Sequence, residues 1–128
     1  MTSRGTNRIS ALAAAIYEIL RMRTRRDEPR ITYKQLAAEL RDFGPEFEYV
    51  HQRNRELYAA LGEVGKECRR LNLPPLPALV VRADTMRPGA AYYSGGSRIR
   101  GEQISAWRRD LEAVRRVRYP RCARHPQS

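Results

Sequence analysis

Apolar residues recur at helical spacing in four stretches of the chain. Ile9, Leu12, Ala13, Ile16, Ile19 and Leu20 fall on one stripe at steps of three and four, which predicts a first amphipathic helix. Asn7 and Ser10 are alternative N-caps, and Asp27-Glu28-Pro29 ends the helix because proline disfavours a helical predecessor. A short extended piece, Arg30-Ile31, leads into a second helix, with Thr32 as N-cap, Leu36, Ala37 and Leu40 inward and Gly44-Pro45 as its close. Residues 46–53 leave two readings open: Phe47, Tyr49 and Val50 pack inward, or the stretch is an exposed loop with a helical turn. The third helix has the cleanest pattern, with Leu57, Leu61, Val64, Cys68 and Leu71 at steps of four, three, four and three. Its opposite side carries Arg55, Glu63, Lys66, Arg69 and Arg70. Gly62 and Gly65 interrupt it at a cost of about 1 kcal/mol each in an exposed helix, which predicts close approach by another backbone.

Leu73-Pro74-Pro75 stops the third helix, and Leu76 to Arg82 then reads as a buried strand around Leu79, Val80 and Val81. Arg87-Pro88-Gly89 is a turn signature, Ala90 to Tyr93 reads as the returning strand, and Ser94-Gly95-Gly96-Ser97 as a connector. A last helix is expected from about Gly101 to Arg118 with Ile104, Trp107, Leu111 and Val114 inward. No internal repeat is visible. The expected fold is mainly α with a small β-hairpin: a winged helix-turn-helix plus a C-terminal helix. In that plan the third helix lies against nucleic acid and the hairpin tip forms the wing. The chain divides into one domain over residues 1–118 and a basic, disordered tail over 119–128.

Length and composition fit this picture. A chain of 128 residues, 41% hydrophobic and 30% charged, can bury one core without metal or disulfide help. The charge stands out: 25 basic residues against 14 acidic ones give +11, and only Lys34 and Lys66 are lysines. Arginine grips phosphate through a planar two-bond fork, although a GC-rich genome also favours arginine codons. The charge is uneven. Residues 1–30 carry +4, residues 31–97 carry nine basic and eight acidic side chains, and residues 98–128 carry +6. The segment holding the helix-turn-helix is therefore nearly neutral. Two cysteines, Cys68 and Cys122, make no disulfide framework. No stretch approaches a membrane span. Ile9 to Leu20 follows Arg4 and Arg8 as a secretory signal would, but Glu18 interrupts it, and arginines stand where a small-residue cleavage site belongs. A cytoplasmic protein, nucleoid-associated if bound to DNA, is the expectation.

Several strings resemble one family. Ile31-Thr32-Tyr33-Lys34-Gln35-Leu36-Ala37-Ala38 is similar to the "TYGQLA" start of the helix-turn-helix in O6-alkylguanine-DNA alkyltransferases. Pro75-Leu76-Pro77-Ala78-Leu79-Val80-Val81 resembles the strand after that family's third helix. Tyr93-Ser94-Gly95-Gly96 resembles its substrate loop, and a tryptophan-bearing helix follows, here through Trp107. The order agrees across residues 9–118. The resemblance implies duplex DNA as partner, with Tyr33 touching the phosphate of a rotated nucleotide. It does not carry the activity. The family's Pro-Cys-His-Arg is replaced by Val81-Arg82-Ala83-Asp84, so the thiolate and its histidine are absent. Inactive relatives that sense alkylated bases usually place tryptophan at the cysteine position, where Arg82 stands.

Other chemistry finds no support. A zinc site would need both His51 and His125 with both cysteines, from scattered positions. No glycine-rich phosphate loop precedes a helix. Tyr33, Tyr49, Tyr58, Tyr92 and Tyr93 do not form the stacking set of an RNA-binding sheet. The carboxylates read as surface partners, for example Glu63 with Lys66. No catalytic residue, metal or cofactor is expected. The expected duplex contacts are Tyr33 and Lys34, Arg69 and Arg70, and Arg82 and Arg87, with Arg108, Arg109, Arg115 and Arg116 on the backbone from the last helix. Such a protein would suit a phage, plasmid or defence system as an accessory or regulatory factor. The alternatives are a protein-binding subunit of a nucleoprotein complex, anchored through Tyr92, Tyr93 or Phe47, and, behind it, a lesion sensor.

Overall fold

The computed structural model describes residues 9–51, 55–88 and 101–121. It is mainly helical with a small two-stranded sheet. Helix α1 spans Ala11–Arg23, strand β1 Ile31–Thr32, helix α2 Tyr33–Phe43, helix α3 Arg55–Arg70, strand β2 Val80–Val81 and helix α4 Gly101–Arg116. Two 3-10 turns, Pro45–Phe47 and Leu76–Leu79, stand before α3 and β2.

Helix α1 is the centre of the molecule. Every residue from Leu12 to Tyr17 is buried, as are Ile19, Leu20 and Arg23. A helix apolar nearly all round must be enclosed by other elements, and α2, α3 and the Leu76–Leu79 turn pack on it. Ser10 is the N-cap, its hydroxyl accepting from the Ala13 N–H at 3.1 Å. At the other end the buried Arg23 guanidinium donates to the carbonyls of Pro29 (3.0 Å) and Arg30 (2.9 Å) and meets Glu39 at 3.2 Å. Burial lowers its pKa, with Arg26 adding to the effect and Glu39 opposing it; an arginine remains charged there. One side chain thus ties the end of α1 to β1 and α2. The hydrophobic pattern could not show this role, because an arginine counts there only as polar.

Thr32 and Gln35 form a reciprocal capping box at the start of α2. After α2, Phe47 and Val50 turn inward while Tyr49 stays exposed, so the first of the two readings of 46–53 holds for two of its three residues. Helix α3 buries Leu57, Leu61, Val64 and Cys68 as expected, while Leu71 is only partly buried. It ends at Asn72, whose φ of 59° lets the Leu73 N–H reach back to the Cys68 carbonyl.

The expected strand Leu76 to Arg82 is mostly not a strand. Pro75 and Pro77 fix φ near the turn value and Pro77 has no N–H to give a ladder, so Leu76–Leu79 winds into a 3-10 turn and only Val80–Val81 extends. β2 pairs with β1 in parallel, Ile31 against Val80 and Thr32 against Val81. The chain then reverses earlier than Arg87-Pro88-Gly89: the Arg82 N–H donates to the Arg87 carbonyl and the Met86 N–H to that of Arg82, both at 2.8 Å, with Met86 at φ 57°. Arg87 is already on the return limb. The expected returning strand, Ala90 to Tyr93, and the Ser94–Ser97 connector lie outside the described residues.

Helix α4 docks through Trp107, whose indole N–H donates to the Ala78 carbonyl at 2.8 Å, and through Val114. The domain does not stop at residue 118. Tyr119 is buried edge-on to Tyr17; its hydroxyl donates to the Pro74 carbonyl, and the Tyr17 hydroxyl to that of Pro120. The expected tail therefore gives its first two residues to the fold. An aromatic ring with a polar tip gains burial and a hydrogen bond together. Among the described residues no helix is long and apolar enough to cross a membrane.

Candidate nucleic-acid interface

The parallel sheet decides which residues meet. Because Thr32 lies against Val81, the next residues along, Tyr33 and Arg82, emerge side by side at the end of the sheet. Tyr33 begins α2 and packs edge-on against Tyr58 of α3, ring centres 5.6 Å apart. Arg82 holds Asp84 with two hydrogen bonds of 3.0 and 2.8 Å. Asp84 raises the Arg82 guanidinium, with smaller contributions from Tyr33 and Tyr58, and Arg82 in turn lowers the Asp84 carboxyl. Lys34 is exposed beside them, and Arg87 is exposed at the turn. Tyr33, Lys34, Arg82 and Arg87 thus share one end of the molecule, although Asp84 offsets one of the two turn arginines.

Between this cluster and α4 runs a groove of about 470 Å³. Tyr33, Tyr58, Gly62, Gly65 and Arg69 line one side, Pro75 and Pro77 its floor, and Asp110 of α4 the far edge. Gly62 and Gly65 do not mark the close backbone approach expected of them. Among the described residues, a Cβ on Gly62 would meet nothing within 4 Å, and one on Gly65 only the Pro77 ring at 3.9 Å. Both glycines face the groove.

The charges of α3 are sorted by side. At about 100° per residue, Arg55, Lys66 and Arg69 fall within an arc of about 60° on the outer face. Glu56, Glu63 and Glu67 fall within an arc of about 40° on another flank, about 100° away. Glu63 on that flank meets the start of α1, while Glu56 is exposed. Glu63 accepts from the Ser10 N–H at 2.8 Å and from its hydroxyl, rather than pairing with Lys66. Glu67, buried, is held by Arg70 at 3.0 and 2.7 Å. Arg70 is therefore neutralised on the α1 side and separated from Arg69, with which the sequence had grouped it. Arg55, Lys66 and Tyr58 belong to the outer face instead. The signal was present at helical spacing: acids at 56, 63 and 67, bases at 55, 66 and 69.

Comparison with protein-family models, with curated proteins and with solved structures finds no match to this chain. The site must therefore speak through its own chemistry. Cys68 is fully buried, its sulfur accepting from the Leu76 N–H at 3.5 Å. Burial pushes its thiol up to about 11, so it stays protonated at neutral pH and cannot serve as a nucleophile there. Among the described residues no three His, Cys, Asp or Glu side chains gather as a metal site. Cys122, His125, Tyr92 and Tyr93 lie outside the described residues. Arg108, Arg109, Arg115 and Arg116 are exposed on α4, but they do not join the α3 face. Arg116 pairs with Glu112 at 3.0 Å, and Arg115 donates to the Asp27 carbonyl at 3.3 Å, on the side of α4 away from the groove.

Proposed function

We propose that this chain is a non-catalytic binder of duplex DNA. It docks through the outer face of α3, with Tyr33 and Lys34 at the start of α2 and the 82–87 turn beside it. The observation that carries this reading is the sorting of charge on α3. A segment that is nearly neutral by sum presents Arg55, Lys66 and Arg69 on the outer face of α3 without a carboxylate in that arc, while Glu63 of the same helix is bonded to Ser10 and Glu67 to Arg70. Guanidinium and ammonium groups on one helix face neutralise successive phosphates and release their counterions. The order helix, strand, helix, helix, strand, turn supports a winged-helix reading, although 44–54 is a longer connection than the three- or four-residue turn of the simplest motif. A cytoplasmic, nucleoid-associated location follows from the partner. A role as an accessory or regulatory factor of a phage, plasmid or defence system rests on analogy alone.

The test is a gel-shift series with single-stranded DNA, duplex DNA and duplex RNA at several salt concentrations. Arg55→Ala/Lys66→Ala/Arg69→Ala should weaken duplex DNA binding across sequences and reduce the log–log salt slope by about 2–3, while Arg70→Ala leaves the slope unchanged. Parent-like affinity in the triple variant at about 150 mM salt, where the screening length is roughly 8 Å, would overturn the docking face.

A second reading, a protein-binding subunit of a nucleoprotein complex, draws on the groove, whose Tyr33, Tyr58, Pro75 and Pro77 offer aromatic and apolar surface. It expects weak binding to free DNA and a partner that stays bound at high salt. Lesion sensing has less behind it, since the strand end carries the exposed Arg82–Asp84 pair.

A further inference from the structure

Helix α4 turns two edges in different directions. Its inward stripe is Ile104, Trp107, Leu111 and Val114. At about 100° per residue, Asp110 lies on one flank of that stripe and Arg108 and Arg115 on the other, about 140–160° around the helix from it. The Asp110 flank borders the groove together with Gly62, Gly65 and Arg69 of α3. The other flank meets the loop after α1, where Arg115 donates to the Asp27 carbonyl at 3.3 Å and Arg25 and Arg26 are exposed. The body of α4, about 10 Å across with its side chains, stands between the two arginine sets.

The helix directions separate them further. Ser10 at the start of α1 touches Glu63 of α3, and Tyr17 is close enough to Arg70 to influence it. The two helices therefore run the same way, and α1 continues about 9 Å past Tyr17 to Arg23. Its following loop, with Arg25 and Arg26, lies beyond the C-terminal end of α3. The acids on this second face leave its charge positive: Glu28 is taken by Arg30 at 2.7 Å and Glu112 by Arg116 at 3.0 Å, and the Asp27 carboxylate remains.

We infer that Arg25, Arg26, Arg108 and Arg115 form a second, separate phosphate-binding face, so that one copy of the protein holds two duplex segments at once. The inference rests on duplex DNA binding through α3. Exposed arginines on a helix flank and an adjoining loop reach phosphate oxygens without reading bases, so the second segment is bound regardless of sequence. The charge concentrated at the two ends of the chain thereby has a use that a single duplex on α3 does not provide.

A two-duplex capture assay tests it. Protein is loaded on a bead-tethered duplex, and retention of a second, fluorescent duplex is measured at fixed salt. A gel shift with one duplex runs in parallel, and melting by circular dichroism checks the fold. Arg25→Ala/Arg26→Ala/Arg108→Ala/Arg115→Ala should still bind one duplex but lose capture of the second by about tenfold or more. The α3 triple variant should lose capture as well. If unfolding confuses the quadruple variant, Arg25→Ala/Arg26→Ala, in a loop outside every helix, should still lower capture. Retention of capture by the quadruple variant would overturn the inference, since a pair of copies would then be bridging through α3. A parent protein that binds one duplex and captures no second one would overturn it too, while leaving the α3 reading intact. Failure of the parent to bind any duplex would sink both.

Discussion

At the scale of single residues, several side chains have roles opposite to their usual ones. Arg23 is polar by type and part of the core by position, a fixed fork that satisfies two carbonyls where the chain turns from α1 into β1. Cys68 is reactive by type and inert by environment, since desolvation holds it as a thiol. Gly62 weakens α3 without any neighbour among the described residues that requires it, because a Cβ there would meet none of them within 4 Å. Gly62→Ala should therefore stabilise the fold by about 1 kcal/mol, seen as a rise of about 3–5 °C in melting temperature. A fall in melting temperature would mean that the groove is occupied by something the described residues do not include.

At the scale of elements, the long amphipathic helices were legible and the short ones were not. Leu57, Leu61, Val64 and Cys68 repeat often enough to fix the inward side of α3, and Trp107 with Val114 does the same for α4. The two-residue strands carry no period to read; Pro75 reads as the end of a helix stop and Pro77 as part of the expected strand, whereas together they wind the chain into a turn. Docking of α4 depends on one directional bond. Trp107→Phe keeps most of the apolar contact but leaves the buried Ala78 carbonyl without its donor. It should cost about 1–3 kcal/mol, measured by urea denaturation followed by circular dichroism because Trp107 is the sole tryptophan. An unchanged denaturation midpoint would show that α4 is held by packing alone.

At the scale of the whole molecule, stability and charge separate. The core holds two acids that resist ionisation: Cys68, raised from 9.0 to about 11 by burial, and Tyr119, raised by burial first and then by Cys68 and Tyr17. A folded-state pKa above the unfolded value means that the neutral form is stabilised. The contribution of Cys68 is complete below about pH 9 and disappears as the pH rises towards 11. Melting temperature should fall across that window, and Cys68→Ala, less stable at neutral pH, should show a flatter decline there. A parallel decline in both proteins would place the alkaline sensitivity elsewhere. The sequence by itself determined the mainly helical class, the inward stripes, the Thr32 cap and the excess of arginine, because each is a local property of spacing or composition. It also contained the sorted charges of α3, though not what they faced. Only the tertiary structure decided that Tyr33 lies beside Arg82 and that the arginines of α4 lie apart from α3. Those relations depend on the parallel register of β1 with β2 and on the rotation of α4 about its own axis, and contacts between residues distant in sequence set both.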